Sequence, residues 1–285
     1  MDDSWSTEVG IVGAGVMGLS LAHAITAVGI PAVVVDTDDA ARASAEVEIG
    51  RHRRIARLAS GRDQTGAAGA LRTAGELDAV GGCRLVIENV TEDPEIKAVV
   101  HRELDRVLSA EAVVAVNTSA VPITSIALGY SNPSRVVGAH FMNPVATSSM
   151  VEVIRAATTG EHALATLGAL LRALDKSAVV VEDAAGFVIN RCLMMFINEA
   201  ADLVDQSVAT VPQVDTLFRG CLGHRTGPLR TADLIGIDTI VDTLHVLADH
   251  YGPERFTPSA ALLEMLRTGK LGRKTGAGFY DYEES

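Results

Sequence analysis

The stretch Val9-Gly10-Ile11-Val12-Gly13-Ala14-Gly15-Val16-Met17-Gly18, with an acid further on at Asp36, decides the fold. Val9 to Val12 is a short apolar run and reads as a buried strand. The three glycines of G-x-G-x-x-G come directly after it. A helix-compatible segment from Leu19 to Val28 follows, then a second apolar run, Ala32-Val33-Val34-Val35, that ends on Asp36. That order is the dinucleotide-binding βαβ fingerprint. Gly13 permits the tight turn, Gly15 lets the backbone approach a pyrophosphate, and Gly18 lets helix and strand pack closely. The helix start turns its N–H groups and positive dipole end toward the phosphates. Asp36 is placed to accept hydrogen bonds from a ribose 2′-hydroxyl. A carboxylate there repels a 2′-phosphate, which favours NAD over NADP.

Working outward, apolar runs alternate with helical patterns through the first two thirds of the chain. Residues 38–58 read as a helix, and a polar, Gly-rich stretch follows from Ser60 to Gly69. Strands are expected at 84–88, 112–116, 135–141, 150–154 and 178–181, with helices at 94–108 and 161–174. This alternation predicts an α/β fold, a Rossmann-type doubly wound, mostly parallel sheet. Past Asp183 the pattern changes to helix-period segments at 187–209, 211–222, 232–251 and 259–268. The expected organisation is a NAD-binding domain over 1–183 and an all-helical domain over 184–285, contributing to a substrate cleft and to dimerisation. Its long apolar helices suit a homodimer interface.

Composition narrows the function classes. Hydrophobic residues make up 48% and aromatics only 4%, so the core is built from Ala, Val, Leu and Ile, as suits a covered parallel sheet. A net charge of −12 argues against nonspecific nucleic-acid binding. Cys83, Cys192 and Cys221 are widely spaced and read as thiols in a reducing compartment rather than as a metal site. The acidic start Met1-Asp2-Asp3 resembles neither a signal nor a transit peptide, and no apolar run has the length of a membrane span. A soluble, cytoplasmic protein is expected.

Oxidising an alcohol with a nicotinamide needs a base for the hydroxyl proton. His140 ends a predicted strand in Gly138-Ala139-His140-Phe141-Met142-Asn143-Pro144, and ligands of open α/β sheets bind at the carboxyl ends of strands. Histidine suits proton transfer near neutral pH. Glu152 lies in the next predicted strand. If the two strands are neighbours, its carboxylate can hold one imidazole nitrogen. A purely structural histidine is the other reading. Ser119 lies just past a strand and can contact a substrate oxygen, or simply cap a turn. Asn190 sits one turn into the helix that opens the second domain. It can face a cleft or bond to a neighbouring helix. His52, His101, His162, His245 and His250 fall in predicted helices or on solvated faces, and His23 in the first helix.

At this point the chain resembles the short, single-function 3-hydroxyacyl-CoA dehydrogenases. The matching blocks are Gly13 to Gly18, Val86-Ile87-Glu88-Asn89-Val90-Thr91-Glu92 with Lys97, Asn117-Thr118-Ser119, His140 to Val145 with Val151 to Ile154, Gly186 to Arg191, Asn198-Glu199-Ala200 and Leu271 to Tyr280. They span nearly the whole chain in the family's order. The resemblance implies a general base, His140, paired with Glu152, and Ser119 and Asn190 positioning the substrate's oxygen and thioester. It implies cofactor contacts from Gly13, Gly15, Val16, Met17, Gly18, Asp36, Glu92, Lys97, Asn117 and Asn143. Glu92 and Lys97 would line the ribose and nicotinamide side, and Asn143 would order the catalytic loop. It further implies domain closure over substrate and no metal. The β-hydroxyacid dehydrogenases share the two-domain plan but use a lysine on the interdomain helix, and no lysine occurs between Ala178 and Ala200.

The chain departs from the family at Gly223-His224-Arg225-Thr226-Gly227-Pro228-Leu229-Arg230, where small and apolar residues are usual. Two arginines and a histidine suit a short polar acyl group or an acidic carrier. Arg51-His52-Arg53-Arg54 with Arg57 is a second basic cluster, suited to coenzyme A phosphates, to an acyl carrier protein or simply to solvent. The resemblance is strongest to polyketide-pathway members that oxidise glyceryl-acyl carrier protein toward hydroxymalonyl and methoxymalonyl extender units. The expected partner is therefore an acyl carrier protein or coenzyme A thioester. An ordinary 3-hydroxybutyryl-CoA type enzyme and a non-catalytic NAD-binding protein are the rival readings.

Overall fold

The computed structural model describes residues 5, 7–60 and 68–282; of residues 46, 52, 53 and 55–60 only the backbone is described. Met1 to Asp3, most of the Gly-rich stretch after Ser60, and the side chains of His52, Arg53 and Arg57 lie outside the described residues. The chain divides into two units, Met1–Asp183 and Ala184–Ser285.

The first unit is built on one eight-stranded sheet. Its strands are β1 (Val9–Val12), β2 (Ala32–Val35), β3 (Leu71–Ala74), β4 (Leu85–Glu88), β5 (Val113–Val116), β6 (Val136–His140), β7 (Met150–Arg155) and β8 (Ser177–Glu182), in the order β3-β2-β1-β4-β5-β6-β7-β8. All neighbours are parallel except β6 and β7. The helices are α1 (Val16–Ala27), α2 (Asp39–Ser60), α3 (Pro94–Val107), α4 (Ile123–Ala127) and α5 (Glu161–Ala173). Strands β1, β2, β4, β5 and β6 are buried along their whole length, which is why they read as continuous Val/Ile/Ala runs. Ile11, Val34, Ile87 and Ala115 pack with Leu21 and Ile25 of α1 and with Leu167 and Leu170 of α5. Each such burial of a Val, Leu or Ile side chain stabilises by roughly 1.5–3 kcal/mol. Helix α3 begins where Asp93 accepts the N–H groups of Glu95 and Ile96, with Pro94 at its first position.

Strand β3 escapes the sequence reading because Leu-Arg-Thr-Ala carries no alternation. It is an edge strand, and Arg72 within it pairs with Glu8 at 2.6 Å.

The second unit is helical: α6 (Ile189–Asp205), α7 (Val211–Leu222), α8 (Pro228–Ile235), α9 (Ile237–Tyr251), α10 (Pro253–Phe256) and α11 (Ala260–Arg267). The single helix expected over 232–251 is broken. Helix α8 starts earlier, at Pro228, and stops at Ile235. Gly236 then takes φ +106°, a value an L side chain resists, and α9 starts afresh. Met194, Ile197, Ile240, Leu244, Leu247, Phe256 and Leu262 form the core. Two buried carboxylates organise the polar connections. Asp215 accepts the N–H groups of Leu229 and Arg230 and so caps α8. Asp233 accepts those of Phe279 and Tyr280, which fastens the segment after α11 onto α8. No helix among the described residues is long and apolar enough to cross a membrane.

Candidate active site

At the carboxyl ends of β1, β2 and β4, where the strand order changes direction, lies a cavity of about 370 Å³ lined by Gly13, Gly15, Asp36, Asn89, Val90 and Thr91 among others. Gly13 has φ +100°, and a Cβ there would sit 2.8 Å from the Asn89 carbonyl oxygen. A Cβ on Gly18 would overlap the Gly13 carbonyl oxygen. At Gly15, by contrast, a Cβ would meet no protein atom within 4 Å. The first and third glycines are therefore demanded by the fold, and the second keeps open the space a pyrophosphate would enter. No side chain caps α1, so its first N–H groups face that space. Val16 is exposed and Met17 half-buried against the core.

Asp36 lines the same cavity. Its Oδ2 accepts the Ala14 N–H at 2.7 Å and its Oδ1 the Asp38 N–H at 2.9 Å. The carboxylate thus ties the glycine turn to the end of β2 and keeps acceptor capacity for a ribose hydroxyl. These residues fit NAD. Asp36→Ala is expected to shift the ratio of kcat/KM for NAD over NADP downward by about tenfold or more. Initial rates with both cofactors check this, and an unchanged ratio removes Asp36 from cofactor selection.

His140 ends β6 and Glu152 stands on β7. The antiparallel register sets them directly opposite each other, and His140 Nδ1 lies 3.0 Å from Glu152 Oε2. Both are buried. Asn117, at the end of β5, links neighbouring strand ends. Its amide donates to Asn89 Oδ1 at 2.7 Å, and its Oδ1 accepts the Phe141 N–H at 3.1 Å. Ser119 follows, with its N–H donating to Glu92 Oε1 at 2.8 Å, while the Thr118 hydroxyl donates to Glu92 Oε2 at 2.7 Å. The loop after β6 carries exposed Asn143, joined to Pro144 by a cis peptide, and is anchored where the Val145 N–H donates to Ser20 Oγ. Asn190 belongs to the second unit, half-buried in the first turn of α6.

Lys97 is turned into the core, 2% exposed, with its ammonium 3.0 Å from each Glu88 oxygen and 3.9 Å from Glu92. It braces the turn after β4, where it also lies 3.5 Å from the Val90 carbonyl oxygen. His101, read as one helical histidine among several, joins the same buried cluster: Nε2 lies 2.9 Å from Glu88 Oε2 and Nδ1 2.7 Å from the Tyr130 hydroxyl. Burial alone would raise the Glu88 carboxyl. The His101 hydrogen bond and the Lys97 charge more than offset that and hold it below its ordinary range. Burial also pushes the Cys83 thiol up to about 11, consistent with an inert thiol.

In the second unit, Arg225 and Arg230 line a separate polar cavity, joined by Arg219, which no motif had marked. His224 does not line it. Its ring packs 5.6 Å from that of Phe218 and 6.1 Å from that of Phe196. Of the other basic cluster, Arg51 and Arg54 are exposed on α2, Arg51 lying 3.7 Å from Glu48.

A switch-point cradle with an acid at the end of β2, in a sheet that also pairs a buried histidine with a carboxylate, defines a nicotinamide-dependent oxidoreductase. Residues 8–184 match the family described as 3-hydroxyacyl-CoA dehydrogenase, NAD binding domain, and residues 186–282 match that family's C-terminal domain. The chain is 36% identical over 285 residues to the 3-hydroxybutyryl-CoA dehydrogenase of Mycobacterium tuberculosis, covering 96% of this chain and 98% of that one. It is 34% identical over 278 residues to that of Bradyrhizobium diazoefficiens, covering 96% and 95%. The solved structure of (S)-3-hydroxybutyryl-CoA dehydrogenase from Ralstonia eutropha superposes with a TM-score of 0.90 at 32% identity, over 98% of this chain and 100% of that one. The chain belongs to the 3-hydroxyacyl-CoA dehydrogenase family and is an NAD-dependent oxidoreductase.

Proposed function

We propose that the chain oxidises a 3-hydroxyacyl-CoA of the 3-hydroxybutyryl type to the 3-oxo thioester. The observation that carries this reading is the His140–Glu152 pair. An ionised carboxylate only accepts hydrogen bonds, so a neutral His140 donates its Nδ1–H to Glu152. That tautomer puts the lone pair on Nε2, the nitrogen that takes the substrate's hydroxyl proton. Glu152 then stabilises the resulting imidazolium. NAD, when bound, supplies the hydride acceptor. Ser119, fixed through its backbone by Glu92, orients the substrate oxygen. The similarity to 3-hydroxybutyryl-CoA dehydrogenases supports a coenzyme A thioester. Exposed Val208, Leu217 and Leu222 on the helical unit support association of two copies through it.

A second reading is favoured by one observation, the arginines that line the polar cavity of the second unit. On that reading the acyl group is short and polar, such as a glyceryl group held on an acyl carrier protein. Its C3 alcohol is the β-hydroxyl, so the same histidine and carboxylate serve. NADH formation measured side by side with 3-hydroxybutyryl-CoA and with glyceryl-carrier protein separates the two. The higher kcat/KM is expected for the coenzyme A substrate. The opposite ranking installs the carrier reading, and no turnover of either overturns both.

A further inference from the structure

We propose that Lys176 and Ser20 are positioning residues for the reaction. Together they clamp the backbone of Val145, and so fix the connection between His140 and the strand of Glu152 against the helix that opens the dinucleotide cradle. The bearing on catalysis rests on the function proposed above; the clamp itself does not. Residues 141–149 form that connection, leaving β6 at His140 and entering β7 two residues before Glu152. Val145, buried in the middle of it, has both of its backbone polar groups taken from outside the loop. Its N–H donates to Ser20 Oγ at 3.0 Å, and its carbonyl oxygen accepts from Lys176 Nζ at 2.5 Å.

The two side chains come from different elements. Ser20 lies on α1, two residues after Gly18, the third glycine of the cradle. It is buried, and its hydroxyl ties the loop to the helix whose first N–H groups face the pyrophosphate space. Lys176 lies in the connection from α5 to β8. Its own N–H donates to the Leu171 carbonyl oxygen at 2.9 Å, which anchors its backbone to the end of α5. From there its ammonium also donates to the Ser148 carbonyl oxygen at 2.5 Å. The next residue, Ser177, donates its N–H to the Ser149 carbonyl oxygen at 2.8 Å. Two consecutive residues thus hold three carbonyl groups of one loop.

Lys176 is 8% exposed, and its ammonium donates to two neutral carbonyls. Burial holds that ammonium below the ordinary lysine range, and the nearby Asp175 charge offsets this only in part. A methionine would fill the same space without the desolvation cost. What methionine lacks is a head with three N–H donors that can reach two carbonyls at once. The cation is therefore explained by the loop it holds rather than by stability it adds. Dehydrogenation sets a demand that such a loop meets. The alcohol loses its proton to His140 and its hydride to the nicotinamide, so base and cofactor must keep a fixed separation. A misplacement of about 1 Å costs on the order of a hundredfold in rate. The base ends β6 and the cofactor cradle opens α1. The Ser20–Val145 bond joins the loop of the first to the helix of the second.

Amide hydrogen exchange of the NADH-saturated protein, read by mass spectrometry, tests the clamp without turnover. Lys176→Met and Ser20→Ala are each expected to speed exchange about tenfold across residues 141–149, while β1, β2 and β4 keep wild-type protection. Rates with 3-hydroxybutyryl-CoA, divided by the number of NADH-binding sites from a fluorescence titration, test the bearing on catalysis. The rate per site is expected to fall about tenfold in Lys176→Met and about threefold in Ser20→Ala. The double variant is expected to lose less than the product of the two, because both side chains hold one residue. Ser20→Ala removes a single oxygen from a helix, so its exchange and its rate decide the matter if Lys176→Met does not fold. Wild-type exchange in the loop overturns the clamp. Fewer NADH sites with an unchanged rate per site, or losses that multiply in full, overturn the positioning role. If wild type oxidises no 3-hydroxyacyl thioester, the proposed reaction fails while the exchange result stands.

Discussion

Replacing His140 with glutamine is expected to lower kcat at least about a hundredfold, or about 2.7 kcal/mol of transition-state stabilisation, while leaving NAD affinity nearly unchanged. Glutamine is close in size and can still donate an amide N–H toward Glu152, so the buried carboxylate keeps a partner. What it lacks is a group able to take a proton. The cavity that fits NAD is lined from β1, β2, β4 and their connections and not by His140, so cofactor binding has no reason to change. Glu152→Gln keeps an acceptor for Nδ1–H but loses the charge that supports an imidazolium. Its loss is expected to fall between wild type and His140→Gln. Steady-state rates with 3-hydroxybutyryl-CoA and a separate NAD titration check both variants. Wild-type turnover by His140→Gln would remove the base from the mechanism. A parallel loss of NAD affinity would mean that the substitution disturbs the sheet.

The cradle was legible because its physics is local. Gly13, Gly15 and Gly18 are spaced by a turn and a helix start, and their roles follow from a few residues in a row. The partnership of His140 with Glu152 was legible only as a condition. It depends on β6 and β7 being neighbours in one particular register, and a one-residue slip would turn Glu152 to the other face. The cluster of Glu88, Lys97, His101 and Tyr130 was not legible. His101 read as one helical histidine among several, the resemblance assigned Lys97 to the cofactor, and Tyr130 comes from a loop beyond the next strand. Arg219 was hidden in the same way. It meets Arg225 and Arg230 only because α7 and α8 are packed through Asp215. The break at Gly236 was missed because the apolar period runs through it, and one glycine within a helical pattern is ordinarily tolerated.

Lys97→Met is expected to destabilise the first unit by about 3–5 kcal/mol, because it leaves a buried carboxylate short of its charge partner. Glu88 is 0% and Lys97 2% exposed, so water cannot substitute for the ammonium. The remaining donors are the Val90 N–H at 2.6 Å from Glu88 Oε1 and His101 at 2.9 Å from Oε2. His101 donates there through Nε2–H and, when neutral, accepts the Tyr130 hydroxyl on Nδ1. Two hydrogen bonds do not replace a charge. The companion Glu88→Gln/Lys97→Met removes both charges and is expected to regain most of the loss, since a buried ion pair contributes little beyond cancelling its own desolvation. The pH dependence follows from the Glu88 carboxyl, which titrates lower in the folded protein than in the unfolded chain. Its contribution is complete above about pH 4.3, the unfolded value, and is lost as pH falls through the lower folded value. The gap between wild type and Lys97→Met is therefore widest near neutrality and narrows under acid, where protonation removes the uncompensated charge. Trp5, the sole tryptophan, packs against the core of the first unit and reports its unfolding alone. Urea midpoints of the NAD-free protein followed by its fluorescence at pH 7 and pH 4 measure the effect. A loss below about 1 kcal/mol at neutral pH, or a double variant no better than the single, would mean that the charge on Lys97 is not what holds the turn after β4.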